Sequence, residues 1–294
     1  MNIDGLDLRV GDCLDAMRAM PDCSVNCVIT SPPYFGLRDY GVEGQIGLEA
    51  SPDEFVAAMV AVFREVRRVL RDDGTLWLNL GDSYGKAKQM IGIPWRVAFA
   101  LQADGWVLRQ DIIWNKPNPM PEPVKDRCTR AHEYLFLLYK RTRYYFDAGA
   151  MKERAAQAGR VRADRMGGNK YVEGVKHSDG AIFTGSDTRN RRSVWTVTPK
   201  PFKGAHFATF PQDLIEPCVL AGCPVGGVVL DPFGGSGTTA GVAIAHGRQA
   251  ILCELNPEYA SLIPGRVHGV LDWHRKRQPA NDNNQADWVQ EAAR

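Results

Sequence analysis

The chain alternates between two hydrophobic periods. Residues 6–11, 25–30 and 74–80 read as short strands, whereas 53–70 carries apolar residues at helical spacing. Strand-like runs interleaved with amphipathic helical segments predict an α/β layered core. Residues 13–20 and 93–103 read as further helices, the second closed by Gly105. Residues 106–114 and 133–139 are rich in β-branched and aromatic side chains and read as strands. Between them lies a proline-rich connection, 116–121, expected at the border of a functional site. Two more strands, 228–231 and 249–254, flank a glycine-rich stretch, with a helix beginning near Thr238.

Composition narrows the class. At 294 residues the chain can bury a full core, and 44% hydrophobic with 24% charged residues is ordinary for a globular protein. No apolar run approaches membrane-spanning length, and Met1-Asn2-Ile3-Asp4 lacks a basic stretch or apolar core, so no membrane partner and a cytoplasmic location are expected. Seven cysteines, odd in number and without a CxxC pair, read as scattered reduced thiols, with neither a disulfide framework nor a metal site. Cys218, which follows Pro217, reads as structural. Charge is not spread evenly. Residues 148–205 hold twelve Lys and Arg against five Asp and Glu, although the whole chain is only +2. Such a concentration is a footprint for a polyanion. Residues 278–294, rich in Asn, Gln and Ala, read as a poorly ordered tail.

Two motifs carry candidate chemistry. Thr30-Ser31-Pro32-Pro33-Tyr34 comes directly after an apolar strand; its prolines fix φ and push Ser31 into an extended conformation. The Ser31 hydroxyl and Pro32 carbonyl can then face one exocyclic amine, while Tyr34 offers a flat face to the ring that bears it. The second motif is Asp231-Pro232-Phe233-Gly234-Gly235-Ser236-Gly237-Thr238-Thr239, a strand end, a glycine loop and a helix start. Glycines let backbone approach a ligand, and amides at a helix start offer donors, which suits a nucleotide-type cofactor. The loop has no Lys after its last Gly, so it is not a Walker-type phosphate cradle. Glu254, closing the next strand, can accept both hydroxyls of a ribose.

Together these motifs resemble an S-adenosylmethionine-dependent DNA amino-methyltransferase of the β-type motif order, in which SPPY precedes the glycine loop. The resemblance extends to Gly11-Asp12-Cys13, Leu80-Gly81-Asp82-Ser83 and the segment 206–211. It implies a doubly wound, mostly parallel sheet: a Rossmann-like methyltransferase fold with circularly permuted motif order and an inserted basic DNA-recognition lobe. The implied divisions are 1–147 for the catalytic half, 148–205 for target recognition, 206–277 for the cofactor half and 278–294 for the tail. Both motifs would then meet at the topological switch point of the sheet.

By the same resemblance, Ser31, Pro32, Pro33 and Tyr34 are catalytic. Asp12, Cys13, Thr30, His206, Phe210, Asp231, Pro232, Phe233, Gly234, Gly235, Ser236, Gly237, Thr238 and Glu254 hold S-adenosylmethionine, with Phe233 against the cofactor, Glu254 at its ribose and Asp12 near its adenine. Double-stranded DNA is the expected partner, gripped by Arg38, Arg189, Arg191, Arg192 and Lys200. A homodimer and a separately encoded restriction endonuclease are further partners the resemblance suggests. Because the target atom is inaccessible in a duplex, the base is expected to flip into the pocket. Ser at the first tetrapeptide position favours cytosine N4. Adenine N6, an RNA base and a catalytically silent DNA-binding module are the alternatives. The family pattern continues into a regular helix after Glu254, which Pro264-Gly265 is expected to interrupt here.

Overall fold

The computed structural model describes residues 3–155, 161–162, 183–184, 187–199 and 210–277. The elements begin with β1 (Leu6–Val10), α1 (Cys13–Arg18), β2 (Val25–Thr30), α2 (Pro52–Val69), β3 (Leu70–Leu80) and α3 (Ile93–Ala103). Next come β4 (Val107–Asn115), β5 (His132–Tyr139) and the short strands β6 (Lys152–Arg154), β7 (Val161–Arg162), β8 (Phe183–Thr184), β9 (Thr188–Asn190) and β10 (Val194–Thr196). The chain closes with α4 (Gln212–Gly222), β11 (Val228–Asp231), α5 (Thr238–Ala245), β12 (Gln249–Glu254) and α6 (Pro257–Arg277).

Eight strands form one sheet in the order β1-β12-β11-β2-β3-β5-β4-β10, and β5 runs antiparallel to both of its neighbours. A parallel strand covered on both faces must be apolar on both. In β3, Trp77 faces one side while Leu76, Leu78 and Leu80 face the other; in β5, Leu135 and Leu137 oppose Phe136 and Leu138. Helices α1, α2 and α3 cover the face of Leu76, and α4, α5 and α6 cover that of Trp77. The α2 helix shows how local signals agree. Ser51 accepts from the Glu54 amide, Pro52 opens the first turn, and Phe55, Met59, Val62, Phe63 and Val66 fall on one buried stripe.

From β2 the chain winds outward through β3, and from β11 it winds the opposite way through β12, toward β1's side of the sheet. The two central strands are parallel neighbours, with Val229 opposite Cys27 and Leu230 opposite Val28. Their C-terminal ends therefore open side by side into the crevice where winding reverses. This is the doubly wound, mostly parallel arrangement.

Several features depart from the sequence reading. Strand β3 starts at Leu70, directly after α2, well before residue 74. The α4 helix was not legible, because Pro217 sits inside it; Leu214, Ile215, Cys218 and Val219 nevertheless bury one face. Pro264-Gly265 does not interrupt the final helix, and α6 runs unbroken to Arg277. Proline removes one backbone bond there, but Ile263, Val267 and Val270 are fully buried, with Ile263 against Gly237 and Val270 against Gly241. Burial of three aliphatic side chains, about 1.5–3 kcal/mol each, outweighs a proline cost of about 3 kcal/mol. The basic segment also returns to the core before residue 205: β10 extends the main sheet beside β4, and Met151, Trp195 and Val197 are buried. The expected tail, 278–294, lies outside the described residues. Among the described residues, no helix is long and apolar enough to cross a membrane.

Continuity of α6 can be tested at Gly265, where an added Cβ would meet nothing. Gly265→Ala is expected to raise stability by roughly 0.5–1 kcal/mol, read as a higher denaturant midpoint. A midpoint that stays or falls would mean that the helix does not pass through Pro264.

Candidate active site

The site begins with a buried carboxylate between the two central strands. Asp231 ends β11, and its Oδ1 accepts from Thr30 Oγ1 at the end of β2 (2.6 Å) and from the Phe233 amide (3.1 Å). Its Oδ2 accepts from Thr239 Oγ1 in the first turn of α5 (2.6 Å). One side chain thus ties together the tetrapeptide strand, the glycine loop and the helix beyond it. Burial raises the Asp231 pKa to about 7, against the opposing pull of these three donors.

Beyond Thr30 the backbone turns through Pro32 and Pro33 and delivers Tyr34 into a polar network. Tyr34 Oη donates to Glu133 Oε2 (2.6 Å), and Asn79 Nδ2 reaches Tyr34 Oη (2.8 Å), Glu133 Oε2 (3.0 Å) and Ser31 Oγ (3.2 Å). Lys116, at the head of the proline-rich connection, pairs with the other Glu133 oxygen. Burial and the Glu133 carboxylate hold the Tyr34 phenol well above its ordinary pKa, so it remains protonated and donates. The Tyr34 ring packs against Gly81, where a Cβ would come within 2.4 Å of Cε2. Any larger residue at 81 would push the ring out of place. Asp82 beside it is occupied structurally, capping α3 through the Gly92 and Ile93 amides (2.9 Å each) and pairing with Arg130 (3.3 Å).

The glycine loop forms the other half. Gly237 adopts φ +83°, which L side chains rarely adopt, and caps α5. Three loop amides are already engaged: Gly234 with the Cys253 carbonyl (2.7 Å), Gly235 with Glu254 Oε2 (2.8 Å) and Gly237 with the Gly234 carbonyl (2.8 Å). The loop is therefore shaped largely by its own bonds and by β12. Glu254 Oε1 accepts from the Asn256 amide (2.9 Å), while Asn256 itself caps α6 through the Glu258 amide (2.9 Å). Burial raises the Glu254 pKa, and its two amide donors oppose the rise. Asp12 caps α1 by accepting from the Leu14 and Asp15 amides (2.8 and 3.1 Å).

These elements enclose one pocket. Asp12, Cys13, Ser31, Pro32, Pro33, Tyr34, Arg38, Phe210, Asp231, Pro232, Phe233, Gly234, Gly235, Ser236, Thr238 and Glu254 all line it. Thr30 stands just behind, fully buried, and Gly237 acts through backbone shape. His206 and Lys200 lie outside the described residues. The sequence reading missed Gln45, Asn256 and Tyr259 on the pocket wall, and Asn79 and Glu133 behind Tyr34, whereas Lys116 heads the proline-rich connection expected at the border of the site. Asn79 and Glu133 sit within predicted strands, where a polar residue amid apolar neighbours was the available signal. Tyr40 and Tyr259, far apart in sequence, meet edge to face with ring centroids 6.3 Å apart.

The remaining predicted arginines lie elsewhere. Arg189 and Arg192 share Glu153 Oε1 (2.8 and 3.2 Å), and the Arg191 guanidinium lies 4.3 Å from the centre of the Trp195 ring. They form a separate basic group at the root of β10, with Arg192 71% exposed.

Comparison with known proteins agrees with this geometry. A DNA methylase family model matches residues 25–264. The Type II methyltransferase M.Cfr9I of Citrobacter freundii is 46% identical over 92% of this chain and 90% of its own length. A putative DNA modification methylase from Thermus thermophilus, solved in complex with S-adenosyl-L-methionine, superposes with a TM-score of 0.61 at 25% identity, covering 90% of this chain and 95% of that one. The PvuII DNA methyltransferase, a cytosine-N4-specific enzyme, shares the fold with a TM-score of 0.68 at 21% identity, covering 92% and 94% of the two chains.

The raised Asp231 pKa has a measurable signature. Between about pH 4 and about pH 7 the native state holds a proton there that the unfolded chain has released, so stability falls as pH rises through that window. Asp231→Asn is expected to flatten this part of the stability-versus-pH curve, measured by denaturant unfolding. An identical slope in the variant would assign the titration to another group.

Proposed function

This chain belongs to the N6/N4 DNA methylase family and is a DNA methyltransferase, and we propose that it methylates N4 of a cytosine flipped out of the duplex. The observation that carries an exocyclic amine as acceptor is the position of Ser31, and the identity of that first tetrapeptide residue as Ser favours cytosine over adenine. Its hydroxyl lies on the pocket wall, its oxygen accepts from Asn79, and its contact as donor is a long one to Tyr34 (3.4 Å). That hydroxyl proton is available to a ring nitrogen beside the amine, while the Pro32 carbonyl can accept from the amine itself. Tyr34 supplies the stacking face and is held by Gly81 and Glu133.

The residues fit S-adenosylmethionine. Glu254 places a buried carboxylate at the end of β12 where a ribose can be held, Phe233 offers a ring, and Asp12 and Phe210 bound the far sides of the pocket. When bound, the cofactor supplies a methyl group activated by its sulfonium. The chain's own residues orient the acceptor. An exocyclic amine is a poor nucleophile because its lone pair is delocalised into the ring, and hydrogen bonds to Ser31 and Pro32 localise that pair toward the methyl donor. Glu133, paired with Lys116 and connected to Ser31 through Asn79 and Tyr34, holds the acceptor groups of this network in place. Among the described residues, no cysteine is placed for covalent attack on the base. Cys218 is fully buried in the core, and burial pushes the pocket thiols of Cys13 and Cys253 up to about 12.

The basic stretch within 148–205, apart from the core-packed Met151 and β10, is assigned to target recognition between the halves 1–147 and 206–277, with Arg38 on the pocket wall as a further DNA contact. The Type II designation of M.Cfr9I supports a modifying role beside a separately encoded endonuclease.

The purified protein, incubated with S-adenosylmethionine and unmethylated DNA of mixed sequence, is expected to yield N4-methylcytosine on nuclease digestion and mass spectrometry. N6-methyladenine would replace the base assignment. Ser31→Ala is expected to lower turnover about 10²-fold while cofactor affinity, measured by calorimetry, stays within about twofold. An equal loss of cofactor affinity would remove Ser31 from the base side of the pocket. At the basic group, Arg192→Ala is expected to weaken DNA binding at all sequences and reduce the salt slope by about 1. An unchanged slope would leave Arg192 as a structural partner of Glu153.

A further inference from the structure

On the face of the sheet covered by α4, α5 and α6, away from the pocket, three helices bring together Glu216, His246 and His274. Glu216 lies on α4, His246 closes α5, and His274 lies in the last turn of α6. One ligand-type atom from each falls within 4.8 Å of the others. Glu216 Oε1 is 2.9 Å from His246 Nε2 and 3.8 Å from His274 Nδ1. The two imidazoles meet edge to face with centroids 4.9 Å apart. His274 Nε2 is buried with no hydrogen-bond partner among the described residues. The pocket wall includes none of the three.

We propose that Glu216, His246 and His274 form a binding site for a divalent transition-metal ion of the zinc class, which clamps α6 onto α4 and α5. Two imidazoles and one carboxylate are a donor set for borderline ions such as Zn²⁺, whereas Mg²⁺ and Ca²⁺ require oxygen ligands. Bonds of about 2.0–2.2 Å in tetrahedral geometry separate ligand atoms by roughly 3.3 Å, and the distances of 2.9 and 3.8 Å from Glu216 bracket that value. Glu216 and His246 each remain about a quarter exposed, which gives the ion an entry path and a fourth position for water. Two guanidiniums border the group: Arg248 donates to the His246 and Cys223 carbonyls, and Arg277 is drawn to Asp213 (3.6 Å) and lies over the Trp273 ring (4.2 Å). Cysteine spacing, from which no metal was expected, carries no information about histidines on separate helices.

The test uses untagged full-length protein stripped with a chelator and titrated with ZnCl₂ by calorimetry, with MgCl₂ as control. One Zn²⁺ per chain and a higher Tm are expected, with no response to Mg²⁺. His246→Gln, which can still donate to Glu216, and His274→Asn should each weaken Zn²⁺ binding more than about 100-fold while the circular dichroism spectrum is unchanged. Co²⁺ substitution should give a visible spectrum without a thiolate charge-transfer band, which separates this site from the exposed thiols Cys23 and Cys128. Absence of Zn²⁺ binding, unchanged affinity in both variants, or a thiolate band would overturn the proposal.

Discussion

The buried carboxylate of Asp231 is the point on which the site depends. Two strands from opposite ends of the chain lie side by side at the centre of the sheet, and the loops that leave their C-terminal ends must keep register with each other. Asp231 provides that register through Thr30 on one strand and Thr239 on the helix beyond the glycine loop. Burying a carboxyl group at 1% exposure is costly, and it is tolerated here because the Thr30, Phe233 and Thr239 donors sit on backbone that the sheet and the loop already position. The bond between residues 30 and 231 thus converts parallel pairing into alignment of the SPPY turn with the glycine loop on one pocket.

Around that point the two halves are built differently. The glycine-loop half is mostly backbone: the loop bonds to β12 and to itself, and Glu254 ties its carboxylate to two amides. The SPPY half is mostly side chain. Ser31, Tyr34, Asn79, Glu133 and Lys116 come from separate parts of the chain and hold one another by hydrogen bonds, with Gly81 leaving room for the Tyr34 ring.

The face of the sheet under α4, α5 and α6 is held by close helix contacts. Helix α6 crosses Pro264 and Gly265 because its buried stripe packs on glycines of α5, close enough that Val270 would clash with any side chain at Gly241. That packing also carries His274 to His246 and Glu216.

Much of this was legible in the residues alone. The strands and helices of the core, the SPPY turn, the glycine loop and Glu254 are local signals, set by hydrophobic period, by proline and glycine dihedrals and by neighbours in sequence. Most residues assigned to the pocket from those signals do line it. What only the tertiary structure decided were the relations between distant segments: Thr30 with Asp231, Tyr34 with Glu133, Tyr40 with Tyr259, and the meeting of Glu216 with His246 and His274. Local propensity even pointed the wrong way where burial overrode it, as at Pro217 and Pro264. The physical reason is common to all of these cases. A dihedral preference acts within a few residues of itself, whereas a buried hydrogen bond or a packed helix face is chosen by whichever strand order the whole core makes most stable.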